Sequence, residues 1–184
     1  MLALHEQNRL RTASRNAHPT RIMSYASPTA PRYEYRRHLP HYQKSDRPIF
    51  ITFCKRTHAP FSKEARDIII GCCLRGHGKK FLLHAAVVLP DHVHLLLTPL
   101  RDSNGWPYLL PHILKLIKGA SARAINKKAH RTGQVWQHES FDHILRSEES
   151  QAAKQEYIRQ NSVRKGLVRE PEDYPWFWQE PKPV

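Results

Sequence analysis

The chain is short of cysteine, acid and glycine, and it has no long apolar run. Its three cysteines are Cys54, Cys72 and Cys73. The number is odd and no C-x-x-C occurs, so neither a disulfide framework nor a cysteine zinc site is supported, and a reducing cytoplasm is the expected compartment. No apolar stretch is long enough to span a bilayer. Met1-Leu2-Ala3-Leu4 gives way at once to polar residues, with no signal-peptide core. None of the seven glycines builds a Walker-type phosphate loop. No D-x-D cluster is present to hold two metal ions, as in many nucleases. Acid is scarce: 16 Asp+Glu stand against 30 Lys+Arg, a formal net charge of +14. That imbalance points to a polyanionic partner. Nucleic acid is favoured over an anionic membrane, because no long basic amphipathic N-terminal helix stands out.

At 184 residues the chain reads as one domain with an extension. Residues 1–35 are rich in Arg, Asn, Ser, Thr and Pro without a sustained period, and read as a disordered basic arm. An arm that contacts DNA and an extension without a role both remain open. Residues 48–54 are β-rich and bounded by Pro48 and Lys55-Arg56. Ser62 is a helix N-cap; Ile68, Ile69, Cys72 and Cys73 follow at helical spacing, and Gly76 with Gly78 stops the helix. Residues 81–89 and 92–98 are strands joined tightly at Pro90-Asp91. Over 108–129, Leu110, Ile113, Leu114, Ile117, Ala120, Ala124 and Ile125 share a helical face. Residues 141–146 form a strand and 147–161 a helix carrying Tyr157. The Pro- and Trp-rich tail after Val168 reads as coil. The order β-α-β-β-α-β-α predicts an α+β fold, a ferredoxin-like split βαβ with a central antiparallel sheet and an additional C-terminal tyrosine-bearing helix.

The candidate chemistry starts at His92 and His94. Side chains alternate along a strand, so both imidazoles point one way while Val93, Leu95 and Leu97 point the other. Two imidazoles side by side can present a divalent cation. Among 13 histidines such a pair can equally be a hydrogen-bonded neighbour pair. Tyr157 and Asn161 are four apart on the later helix, hence on one face. A carboxamide oxygen can complete a cation site and a phenol can act as a nucleophile. Their plainer roles are packing for Tyr157 and a helix C-cap for Asn161. Arg36, Arg37, Lys55, Arg56, Lys115 and Lys118 are candidates for phosphate contacts. An RNA-binding module on the same fold would place aromatics on the central strands; here the polar strand face carries histidines.

Val87-Val88-Leu89-Pro90-Asp91-His92-Val93-His94 resembles the histidine-hydrophobic-histidine (HUH) signature of single-tyrosine transposases. Trp136-Gln137, Phe141-Asp142-His143 and the run from Glu156 to Val168 resemble the second half of the REP-associated tyrosine transposases. So do Arg36-Arg37-His38-Leu39-Pro40-His41 and Asp173-Tyr174-Pro175-Trp176. The likeness covers roughly residues 35–178, which makes 36–178 the transposase-like domain and 179–184 a tail. One departure is Ser162, where that family usually has proline. The resemblance implies Tyr157 as the nucleophile and His92, His94 and Asn161 as ligands of a divalent metal, Mn2+ or Mg2+. It implies cleavage and rejoining of single-stranded, hairpin-forming DNA through a 5′-phosphotyrosine that leaves a free 3′-hydroxyl. It implies a monomer, with a homodimer as the alternative. A rival of another class is a domesticated, hairpin-specific DNA-binding protein that no longer cuts.

Overall fold

The structure is a computed structural model; it describes residues 33–36, 40–43, 47–145 and 148–181, with side chains over 47–145 and 151–181. Strands β1 (Tyr33–Arg36) and β2 (Pro40–Gln43) pair antiparallel as a separate two-stranded sheet. The main body follows as β3 (Ile49–Cys54), α1 (Lys63–Arg75), β4 (Phe81–Val88), β5 (His92–Pro99), α2 (Leu110–Lys128), β6 (Phe141–Ile144), α3 (Glu148–Arg159), α4 (Asn161–Arg164) and β7 (Phe177–Gln179). Strands β3 to β7 form one antiparallel sheet in the order β6-β3-β5-β4-β7. The fold is therefore mixed α and β, with a central five-stranded antiparallel sheet flanked by helices. Among the described residues, no helix is long and apolar enough to cross a membrane.

Local signals explain the helix ends. The Ser62 hydroxyl accepts the N–H of Ala65 at 3.2 Å and caps α1. Pro111 sits in the first turn of α2, where its missing N–H costs nothing, and Lys127 and Lys128 lie at the negative end of the helix dipole. The register then sorts the sheet's two faces. Phe53, Ile51 and Ile49 lie opposite Val93, Leu95 and Leu97. Directly opposed residues share a face, and all six are buried. Full burial of each such side chain is worth about 1.5–3 kcal/mol. This face meets α2 and the segment leading into α1 through Trp136, whose ring lies 4.8 Å from Phe53 and 5.1 Å from Phe61. Its indole N–H is shared between the Lys118 carbonyl and the Ser121 hydroxyl of α2, both at 3.1 Å. The other face carries Phe50, Thr52 and Cys54 opposite Leu96, His94 and His92. Helix α3 lies on that second face, with Tyr157 against Phe50 and His94.

Two expectations need correction. The tail is not coil throughout: Pro171–Asp173 is a 3-10 turn and Phe177–Gln179 adds a strand to the free edge of β4. It is tied down by side chains that are not neighbours in sequence. The Tyr174 hydroxyl donates to the Val88 carbonyl at 2.9 Å, and the Trp176 indole donates to Asp67 at 2.7 Å. The tyrosine-bearing helix is not continuous to Asn161 either; α3 ends at Arg159, and Asn161 begins the separate turn α4. Most of the expected basic arm, residues 1–32, lies outside the described residues, as do residues 182–184 of the tail; strand β1 spans the boundary drawn at residue 35.

Candidate active site

The histidine pair sits at the start of β5, the central strand of the sheet. His94 is 6% exposed. Its ring stacks on Phe50 with centroids 5.3 Å apart and meets the Tyr157 ring edge-on at 5.5 Å. His92 Nε2 and His94 Nε2 face each other at 3.1 Å. The outer nitrogens are both engaged: His92 Nδ1 with the Asp91 carboxylate at 2.6 Å, His94 Nδ1 with the Thr52 hydroxyl at 2.7 Å. A carboxylate only accepts, so His92 Nδ1 carries the hydrogen of that bond. Burial foremost, then His92, Lys154 and Lys165, drives the pKa of His94 down to about 3. His94 is therefore neutral at neutral pH, the form in which imidazole ligates metals.

Where His92 has one ring hydrogen, on Nδ1, two hydrogen arrangements satisfy this geometry. His94 Nε2–H can donate to His92 while Thr52 donates to His94 Nδ1. Alternatively, His94 Nδ1–H donates to Thr52 and both Nε2 lone pairs converge. The second needs a cation between them. Orienting partners on the outer nitrogens, carboxylate on one ring and hydroxyl on the other, are the usual support of metal-binding histidines. Among the described residues no cluster of three or more His, Cys, Asp or Glu is placed to hold a metal ion. Asn161, the third ligand expected from the sequence, is a carboxamide at the start of α4. Its residue is 5% exposed, and its amide N–H donates to the Tyr157 carbonyl at 3.4 Å. Imidazole nitrogens with a carboxamide oxygen are donors that a divalent ion of the Mn2+ or Mg2+ kind can take.

The structure thus gathers His92, His94 and Tyr157, and puts Asn161 at the start of the next helical turn. Two cations lie over the Tyr157 ring: Lys154 Nζ at 5.2 Å and Arg164 Cζ at 5.5 Å from its centroid. Ser162 is fully buried and its hydroxyl has no hydrogen-bond partner, a cost that proline at this position would not carry.

The basic candidates divide. Lys115 and Arg56 are exposed, with Arg56 bonded to the Gln134 side chain. Lys55 is buried; its ammonium donates to the Ala59 carbonyl and, at 3.0 Å, to that of Pro60. Lys118 donates to the carbonyls of Gln137 and His138 and to the Ser140 hydroxyl, stapling that loop to α2. The side chains of Arg36 and Arg37 lie outside the described residues. Sequence reasoning missed Thr52, Phe50 and Lys154 as neighbours of the histidines. Only the strand register could have found the first two, since nothing local to Phe50-Ile51-Thr52 points to residues forty positions away.

No family model matches the chain. A candidate REP-associated tyrosine transposase of Haemophilus influenzae is 26% identical over 97 residues, 50% of this chain and 55% of that protein. The chain therefore spans about half the length of the curated relative it matches. The solved structure of a REP-associated tyrosine transposase bound to a REP hairpin superposes with a TM-score of 0.58 at 24% identity, covering 79% of this chain and 81% of that one. At that identity the likeness is one of fold. A candidate transposase of Deinococcus radiodurans matches at a TM-score of 0.41 and 22% identity, over 74% of this chain and 95% of that one, too low a score to add to it. In sequence and in fold, this chain resembles the REP-associated tyrosine transposases.

Proposed function

We propose that this chain is a metal-dependent DNA strand transferase that cleaves and rejoins single-stranded DNA beside a hairpin, with Tyr157 as the nucleophile. The observation that carries this is the meeting of two elements. A helix lays Tyr157 against His94, whose Nε2 already faces that of His92. The strand order supports it as well, since β6-β3-β5-β4 is the order of the ferredoxin-like split βαβ arrangement.

His92, His94 and Asn161 would hold Mn2+ or Mg2+. Bound there, the ion would neutralise charge on a non-bridging phosphate oxygen. The chain's own residues do the rest. Asp91 and Thr52 hold the imidazoles in orientation, and Phe50 backs His94. Lys154 and Arg164, whose charges lie over the Tyr157 ring, would meet the phosphate. The Tyr157 oxygen attacks phosphorus, the phenol loses its proton, and the bond to the 3′ oxygen breaks, so that oxygen leaves as a hydroxyl. The 5′-phosphotyrosine keeps a phosphoester, so a second 3′-hydroxyl can reverse the step without ATP. Arg56, Lys115, Arg36 and Arg37 would track phosphates outside the cut. A monomer would suffice for this step, since Tyr157 meets His94 within one chain.

The test is a denaturing gel of wild-type protein incubated with manganese and hairpin oligonucleotides carrying single-stranded flanks. A 3′-labelled strand should remain on the protein and a 5′-labelled one should not. Tyr157→Phe should abolish the adduct, and so should His94→Ala. Normal cutting by Tyr157→Phe would overturn the mechanism. A wild type that binds hairpins and never forms an adduct would leave a DNA-binding protein without strand transfer.

A further inference from the structure

We infer that the edge strand β6 carries a nucleobase-stacking subsite centred on Phe141, on the same sheet face as the His92–His94–Tyr157 cluster; this rests on the proposal that the site handles single-stranded DNA. Phe141 is 58% exposed, whereas Phe50, Phe53, Phe61 and Phe81 are all buried. Register places it. Phe141 lies opposite Thr52 and Thr52 opposite His94. Because opposed residues share a face, and Thr52 does reach His94 with its hydroxyl, the Phe141 ring projects on the side of the histidines. Two strand spacings of about 4.8 Å put its backbone roughly 10 Å from that of His94. His143, two residues on, is also exposed and lies opposite Phe50. The sequence Phe-Asp-His-Ile thus turns both rings towards the site and Asp142 away from it.

The chemistry of the surroundings selects the occupant. Lys154 Nζ lies 4.7 Å over the ring of Phe50, the residue opposite His143. An exposed aromatic on the face that also carries Lys154, on a chain of net charge +14, matches a base with its phosphates. Strand β2 comes near β6 without pairing to it, and the feature that selects the occupant is the exposed ring face. A base resting there would belong to a nucleotide flanking the phosphate at Tyr157.

The test is metal-free binding of a short fluorescein-labelled oligothymidylate, measured by anisotropy across a salt series in EDTA. Phe141→Ala should weaken binding about 5- to 150-fold, the effect of losing one stacked base. Phe141→Trp should restore it. The slope of affinity against salt should not change, since no phosphate contact is lost. The melting temperature should not fall, because the ring is already in water. Unchanged affinity in Phe141→Ala, a loss that tryptophan does not restore, or a changed salt slope would each overturn the subsite. Adduct formation separates this from the mechanism. Wild type that forms the Tyr157 adduct while Phe141→Ala binds normally sinks the subsite alone. Weakened binding in Phe141→Ala with no wild-type adduct sinks the Tyr157 mechanism and keeps the subsite.

Discussion

Thr52→Val isolates what holds the histidine pair in place. The change removes one hydroxyl and keeps the branched shape. The bond lost is the 2.7 Å contact to His94 Nδ1. His94 is 6% exposed, so water does not simply take the hydroxyl's place. A buried group left without a partner costs about 1–3 kcal/mol. For a chain of this size each kcal/mol lowers the melting temperature by about 2–4 °C. The metal-free variant should therefore melt roughly 2–12 °C below wild type. A second effect appears with manganese. Losing the partner that orients a ligating histidine weakens metal affinity about 10- to 100-fold. At a metal concentration of about 100 times the dissociation constant, wild type gains about 2.7 kcal/mol; at the same concentration the variant gains only about 1.4 or about 0.4 kcal/mol. Circular dichroism melts with and without manganese measure both. If the metal-free melt falls but manganese raises the variant as much as wild type, Thr52 merely packs and does not aim His94. If manganese does not raise the melt of wild type at any concentration, the pair is not an ion site.

Two further outcomes test the scaffold. Gly76 ends α1 with an ordinary φ of −91°, so its need for glycine is steric. An added Cβ would collide with Cε1 of Phe81 and lie 2.7 Å from Cζ, on a ring that is fully buried; Gly76→Ala should cost about 1–3 kcal/mol in chemical denaturation, and an unchanged midpoint would show that the ring yields. His84 joins β4 to the tail through Glu180 at 3.3 Å and to β5 through Thr98 at 2.8 Å. Burial lowers its pKa, opposed by Glu180 and assisted by His77. Its folded value lies below its unfolded value of about 6.5, so the unfolded chain binds more protons as pH falls through that range. The stability of wild type relative to His84→Gln should be greatest above about pH 6.5 and shrink on acidification towards pH 5; a difference that stays constant or grows would refute the sign.

Much of the frame was legible from local pattern. The apolar run before Cys54, the Ser62 cap, the turn at Pro90-Asp91 and the helical period of 110–128 are all set by neighbours in the chain. So was the shared direction of His92 and His94, because alternation along a strand is a property of the backbone itself. What pairs with what was not legible. Nothing near Phe177 announces a strand; it becomes one because β4 has an open edge and Tyr174 and Trp176 find partners on Val88 and Asp67. Nothing near Lys55 or Lys118 shows that their charges are turned to backbone carbonyls. Charge count reports how many cations a chain carries, not which remain free for phosphate. The sequence by itself determined the main strands and helices, the basic character and the residue types of the candidate site. Only the tertiary structure decided that α3 crosses the histidine face, that Thr52 and Asp91 hold the two imidazoles, and that Phe141 stands exposed two strands away. Those are consequences of strand register and helix packing, which depend on residues far apart in the chain and close together only once it has folded.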